Sequence, residues 1–318
     1  MGSLSGAGDI LEQALELFRE SGSPVEALET ELELVNYHLQ SGSYAKARSL
    51  LPMLARRCRE MSFRCGEWKA RLFMGDLAAA EGDYRRARDA FLTYLSAVKT
   101  AGYTGKCAVA LNQVAGIEAS QGRYGEAEQH YSTAADYFMR IGSVRGQAGT
   151  MLNLAVLNQM RGKSEEVRRN YEEALVLGEK ARDETIISNA LNGLAFYYLE
   201  REEFQRAESF LTRAGETAEK SGSKPVLIRI MYGFALLDHR RGLSARAAKT
   251  AIVLLHEPAA DAESEGFCLE LLKNLREAIG AEEIDRQRRE ARSATLSKLA
   301  AMYIRPSAPE EETVYRKG

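Results

Sequence analysis

Apolar residues recur along this chain at helical spacing, and the pattern restarts every twenty residues. In one set of segments they stand at i and i+3: Leu34 and Tyr37, Met74 and Leu77, Val114 and Ile117, Leu154 and Leu157, Leu194 and Tyr197, Phe234 and Leu237. In the intervening set they stand at i, i+3, i+7 and i+10. Examples are Tyr84, Ala87, Phe91 and Tyr94; Tyr124, Ala127, Tyr131 and Ala134; Phe204, Ala207, Leu211 and Ala214. Both spacings place the apolar side chains on one stripe of an α-helix. No segment reads as a strand, so the pattern predicts an all-α chain.

Polar turn residues mark the restarts. Gly42, Gly82, Gly122, Gly162 and Gly242 share one register, with Glu202 in the fifth of its six places. Gly22, Gly102, Gly142 and Gly222 lie twenty residues out of phase, with Ser62 and Arg182 completing that series. Each 40-residue unit is thereby cut into two helices of about 17 residues. Ser23 before Pro24, and Ser223 shortly before Pro225, predict helix starts. A fixed period of this size is the mark of a solenoid, in which each unit buries its apolar face only against its neighbours. The expected organisation is a loose N-terminus over 1–8 and a repeat region over 9–262. That region holds one leading helix (Ile10, Leu11, Ala14, Leu15, Phe18) and six helix pairs. A degenerate seventh pair over 263–304 follows, its long charged second helix running from about 282 to 303, and then a disordered tail over 305–318.

These residues resemble a known family. The order Leu-Ala, then Gly-x-Tyr-x-x-Ala, then an aromatic four residues on, is similar to the tetratricopeptide repeat. LNQVAGIEASQGRYGEAEQHYSTAA (111–135) and LNGLAFYYLEREEFQRAESFLTRA (191–214) carry it most fully. The small residue of the first helix is Val35, Gly75, Ala115, Ala155, Ala195 and Ala235; that of the second is Ala47, Ala87, Ala127, Val167, Ala207 and Ala247. The 40-residue unit looks like the longer-helix variety of Leu-Gly-Asn repeat proteins, kinesin light chains, peptide-sensing bacterial regulators and sensor domains of bacterial transcription activators. The resemblance implies a right-handed superhelical solenoid of antiparallel helix pairs, with the first helix of each pair on the concave side. The carboxylate clamp of chaperone-binding relatives is not expected, because Leu32, Leu72, Gly149 and Leu152 stand where its polar residues would be.

Composition narrows the partner class. Lys and Arg number 43 against 45 Asp and Glu, so no global field favours nucleic acid or an anionic membrane. The four cysteines, Cys58, Cys65, Cys107 and Cys268, form no CxxC pair and are expected to be small buried hydrophobes. There is no secretory signal and no run of about 18 apolar residues, which makes the cytoplasm the expected location. The four histidines lie far apart with no paired cysteine or serine elbow. Neither a catalytic residue nor a metal or cofactor is implied.

The candidate site is therefore the concave face. Its central helices are rich in amides: Asn112, Gln113, Asn153, Asn158, Asn189 and Asn192. An amide donates and accepts hydrogen bonds, so a row of them can hold the backbone of an extended peptide. Phe196, Tyr232 and Arg229 join them as groove candidates, beside Leu72, Phe73, Leu152 and Leu199. The first full pair is acidic (Glu26, Glu29, Glu31, Glu33), and the sixth carries Lys224, Arg229 and Arg240. The expected function is a non-enzymatic protein- or peptide-binding module acting as an adaptor or regulatory receptor. The alternative is a small-molecule-sensing domain controlling an attached or partner output domain. Self-association through the C-terminal helix is a further expectation.

Overall fold

The computed structural model describes residues 4–260 and 262–305. The expected tail lies outside them beyond Arg305, as do the first three residues of the expected loose N-terminus. Among the described residues there are sixteen α-helices and no strand. None is long and apolar enough to cross a membrane. They form two compact units that divide between Gly162 and Lys163.

The first unit holds α1 (Leu4–Glu20), α2 (Pro24–Gln40), α3 (Tyr44–Glu60), α4 (Arg64–Ala80), α5 (Tyr84–Thr100), α6 (Thr104–Ser120), α7 (Tyr124–Arg140) and α8 (Val144–Met160). The first helix thus begins inside the stretch expected to be loose. The second unit holds α9 (Ser164–Ala181), α10 (Glu184–Leu199), α11 (Phe204–Ser221), α12 (Lys224–Arg240), α13 (Ser244–Leu255), α14 (Ala262–Ile279), α15 (Ala281–Ala291) and α16 (Leu296–Ile304).

The reversals from Gly22 to Gly242 are made by one kind of turn, and those after α13 differ. The N–H after the turn centre reaches back to a carbonyl five residues earlier, as in Ser43 to His38 (2.8 Å), Asp83 to Ala78 (2.8 Å) and Glu203 to Tyr198 (3.0 Å). This closure requires a left-handed residue at the centre, which glycine adopts without penalty. Gly42, Gly82 and Gly122 do so at φ 71°, 77° and 74°. Ser62, Arg182 and Glu202 take the same conformation at φ 55°, 54° and 60° despite their side chains. Ser23 and Ser223 stand at the starts of α2 and α12 as expected, with Pro24 and Pro225 in the first turn, but neither hydroxyl caps its helix.

With so short a connection a helix can only fold back antiparallel on its predecessor. In the first unit α2 packs on α4 and α6 on α8; in the second α10 packs on α12 and α12 on α14. The odd-numbered helices up to α11 pack chiefly against their chain neighbours. The layer whose members approach one another is the inside of each unit's bend. The small residues at the layer contacts make that approach feasible: Val35, Ala115, Ala155, Ala195 and Ala235 are fully buried, as are Ala47, Ala87, Ala127, Ala207 and Ala247. At Gly75 the space is claimed outright, since a Cβ there would lie 2.3 Å from Cε1 of buried Phe91.

Charged staples join successive pairs on the other side. Arg48 meets Glu81 (2.5 Å) and Arg88 meets Glu118 (3.2 Å); the polarity then reverses, with Glu128 to Arg161 (2.5 Å) and Glu208 to Arg241 (2.7 Å). Glu118 is fully buried and also bonded by His130 Nδ1 at 2.6 Å, so this staple is not a solvated pair.

The C-terminal part departs from the expected pair. The single long helix over 282–303 is two, α15 and α16, because Thr295 leaves the helical conformation and its hydroxyl caps Lys298 N–H. The break lets the apolar side of α16 turn back onto α11, α12 and α13. Ile304 covers Gly215, Tyr303 stacks on Phe234 at 4.7 Å, and the Tyr303 hydroxyl donates to buried Asp238 at 2.6 Å. Leu296, Leu299 and Ile304 are buried within this unit, so they offer no surface for self-association.

Alanine replacement of two inner-layer glycines separates close packing from helix propensity. Gly75→Ala is expected to destabilise the chain by about 1–3 kcal/mol through overpacking against Phe91. Gly149→Ala has no atom within 4 Å of its new Cβ and is expected to stabilise by about 0.5–1 kcal/mol. Urea denaturation of both variants checks the opposite signs.

Candidate ligand-binding face

The inner helices carry a series of polar side chains that bond one another across helix pairs. In the first unit Lys69 of α4 pairs with Glu33 of α2. Gln113 Nε2 of α6 donates to Asp76 Oδ1 of α4 at 2.7 Å. Asn112 Nδ2 donates to the hydroxyl of buried Thr150 on α8 at 3.0 Å, and that hydroxyl donates to the Gly146 carbonyl at 2.9 Å. In the second unit Arg229 of α12 donates to Asn189 Oδ1 of α10 at 3.1 Å. These partners stand 36 to 40 residues apart in the chain, one repeat period or slightly less.

The amides expected to form a row therefore differ in environment. Asn112, Gln113 and Asn189 are engaged in inter-helix bonds, and Asn153 is exposed. Asn158 is buried, and its Oδ1, like that of half-buried Asn192, has no hydrogen-bond partner among the described residues. The acidic start is neutralised at two of its four carboxylates: Glu31 is buried between Arg19 and Arg57, and Glu33 is held by Lys69, while Glu26 and Glu29 are exposed.

Of the apolar candidates, Phe73 and Leu199 are core residues, while Leu72, Leu152, Phe196 and Tyr232 stay half-buried. Phe196 of α10 and Tyr232 of α12 stack with ring centroids 6.1 Å apart and planes tilted by 18°. Tyr232 then stacks on Phe267 of α14 at 5.5 Å and 22°. Sequence reasoning missed Phe267 as a site residue. Its signal was its place 35 residues after Tyr232, close to the 36 that separate Phe196 from Tyr232.

Two further features lie outside this face. A cavity of about 630 Å³ in the second unit is lined by Ile252, Leu272, His256, Arg288 and Arg292 among others. Cys58, Cys107 and Cys268 are buried as expected, but Cys65 is exposed at the start of α4, with Lys106 Nζ 4.0 Å from its sulfur.

Burial pushes the Asp76 carboxyl up to about 6, although the Gln113 hydrogen bond acts against this by favouring the ionised form. A carboxyl whose folded value is raised opposes folding once ionised. Its protonated form supports stability below the unfolded value of about 3.9, and this support is lost as pH rises through about 6. Asp76→Asn keeps an acceptor for Gln113 and removes the buried charge. The variant is expected to be about 1–2 kcal/mol more stable than the parent at pH 7.5, allowing for partial exposure, and close to it at pH 4. Denaturant midpoints at the two pH values check this.

Residues 106–180 match the family model described as tetratricopeptide repeat. The chain has no match among curated proteins. Among solved structures it is similar to NprR in complex with its cognate peptide NprX, with TM-score 0.60 and 16% identity over 92% of this chain and 89% of that one. It is similar to the apo form of RapI, with TM-score 0.55 and 14% identity over 91% and 97%. BtubC (BKLC) from P. vanneervenii is also similar, with TM-score 0.56 and 20% identity over 69% and 92%. At these identities the likeness concerns the fold. Together with the regular helix pairs, it shows a fold like that of tetratricopeptide-repeat solenoids, and the match to the family's own repeat model spans 106–180.

Proposed function

We propose that the chain is a non-enzymatic binding module that captures a peptide or protein segment on its even-numbered helices and acts as an adaptor or regulatory receptor. The observation that carries this reading is the set of side chains gathered on the even-numbered helices of each unit: amides and charged groups bonded from helix to helix, and, in the second unit, three stacked rings. An extended segment laid across that face would meet donors, acceptors and aromatic surface from successive helices. The tetratricopeptide fold supports the reading, and NprR, one of the similar structures, holds a peptide. The candidate residues are Asn112, Gln113, Asn153, Asn158, Asn189, Asn192, Phe196, Arg229 and Tyr232.

Hydrogen exchange with peptides selected from a random library tests the proposal on the full chain. Protection is expected on α2, α4, α6 and α8 or on α10, α12 and α14. Protection confined to odd-numbered helices, or no selected peptide at all, sinks it.

A further inference from the structure

The second unit presents a feature more specific than a general peptide groove. Phe196, Tyr232 and Phe267 come from three successive inner helices and form one continuous stack, with centroid spacings of 6.1 and 5.5 Å. The rings do not belong to the core: Phe196 and Tyr232 are half-buried and Phe267 is 42% exposed, whereas Ala195, Phe234, Ala235 and Leu271 fill the interior of the same helices. Because the rings face one another, the stack turns their edges to solvent, and aromatic edges carry partial positive charge. One turn before Tyr232, Arg229 is steadied by Asn189 at 3.1 Å. The floor is thus apolar, regularly spaced and electropositive.

We infer that this stack binds an extended segment with apolar side chains at alternate positions and a carboxylate next to the central one. This rests on the peptide-binding reading above and names the chemistry of the partner. The spacing supports it: two residues of an extended chain advance about 6–7 Å and put their side chains on one face, close to the step from one ring to the next. Alternate side chains then fall over Phe196, Tyr232 and Phe267 in turn, and backbone carbonyls lie against ring edges. The adjacent acid points away from the rings, and the long Arg229 side chain meets it at the edge of the segment, where its planar fork suits a carboxylate. A basic segment would set its charge against Arg229 and the ring edges.

The probe is a fluorescein-labelled peptide, Gly-Leu-Asp-Leu-Ala-Leu-Gly, titrated into the full chain and read by anisotropy. The same peptide with its three leucines replaced by serine is expected to bind about tenfold more weakly or worse. Phe267→Ala removes an exposed ring and is expected to weaken the probe about fivefold or more. Arg229→Gln is expected to weaken the Asp peptide about fivefold, but its Asn counterpart less than about twofold. Circular dichroism checks that each variant keeps its helices. The inference is overturned if the probe fails to bind at about 1 mM, or if folded Phe267→Ala and Arg229→Gln bind it as the parent does. Should library peptides still protect the inner helices in either case, peptide binding stands and only this motif falls. If none does, both fall.

Discussion

A helix that must reverse within three residues has to close its last carbonyls through a left-handed residue, and this chain meets that demand every twenty residues from Gly22 to Gly242. Everything else follows from the regularity of that closure. It fixes helix length at about four and a half turns and forces neighbours antiparallel. Within each unit it also returns successive even-numbered helices, up to α14, to one layer. Small residues such as Ala115 and Ala155 then fall at matching contacts. A bulkier or longer connection would shift the register of every later helix in its unit.

Given that register, polar pairs do at the inner surface what alanines do in the interior. Bonds such as Gln113 to Asp76 and Arg229 to Asn189 tie helices that are distant in sequence and adjacent in space. Asp76 shows that they are not free of cost, since its carboxyl is held where ionisation is disfavoured. The face is therefore both a candidate binding surface and part of the cohesion between pairs. A side chain there cannot be changed for one role without touching the other. Phe267 is an exception, because its ring is largely outside the packed interior.

The fold was legible where residue type alone carries the constraint. Glycine at a left-handed turn and alanine at a close contact are visible without knowing what they touch, so the helix pairs and their small-residue positions could be read directly. Bonds within the inner layer were less legible. The step from Asp76 to Gln113 is 37 residues and that from Asn112 to Thr150 is 38, offsets that fall short of the 40-residue repeat. The same drift hid Phe267. The return of α16 was illegible for another reason: a few apolar residues in a charged stretch read as one helical stripe whichever helix they eventually cover. The exposure of Cys65 likewise depends on which side of α4 meets its neighbours.

Arg182 and Glu202 add an asymmetry that the even spacing of turns conceals. They sit at the two ends of α10, and each holds a conformation that costs a side-chain-bearing residue about 1 kcal/mol more than glycine. The backbone energy stored in the second unit is thus concentrated around the helix that carries Asn189, Asn192 and Phe196. The turn bonds from Asp183 N–H to the Gly178 carbonyl and from Glu203 N–H to the Tyr198 carbonyl, both 3.0 Å, hold that conformation in place. Glycine at either turn would release the cost without altering a side chain of α10.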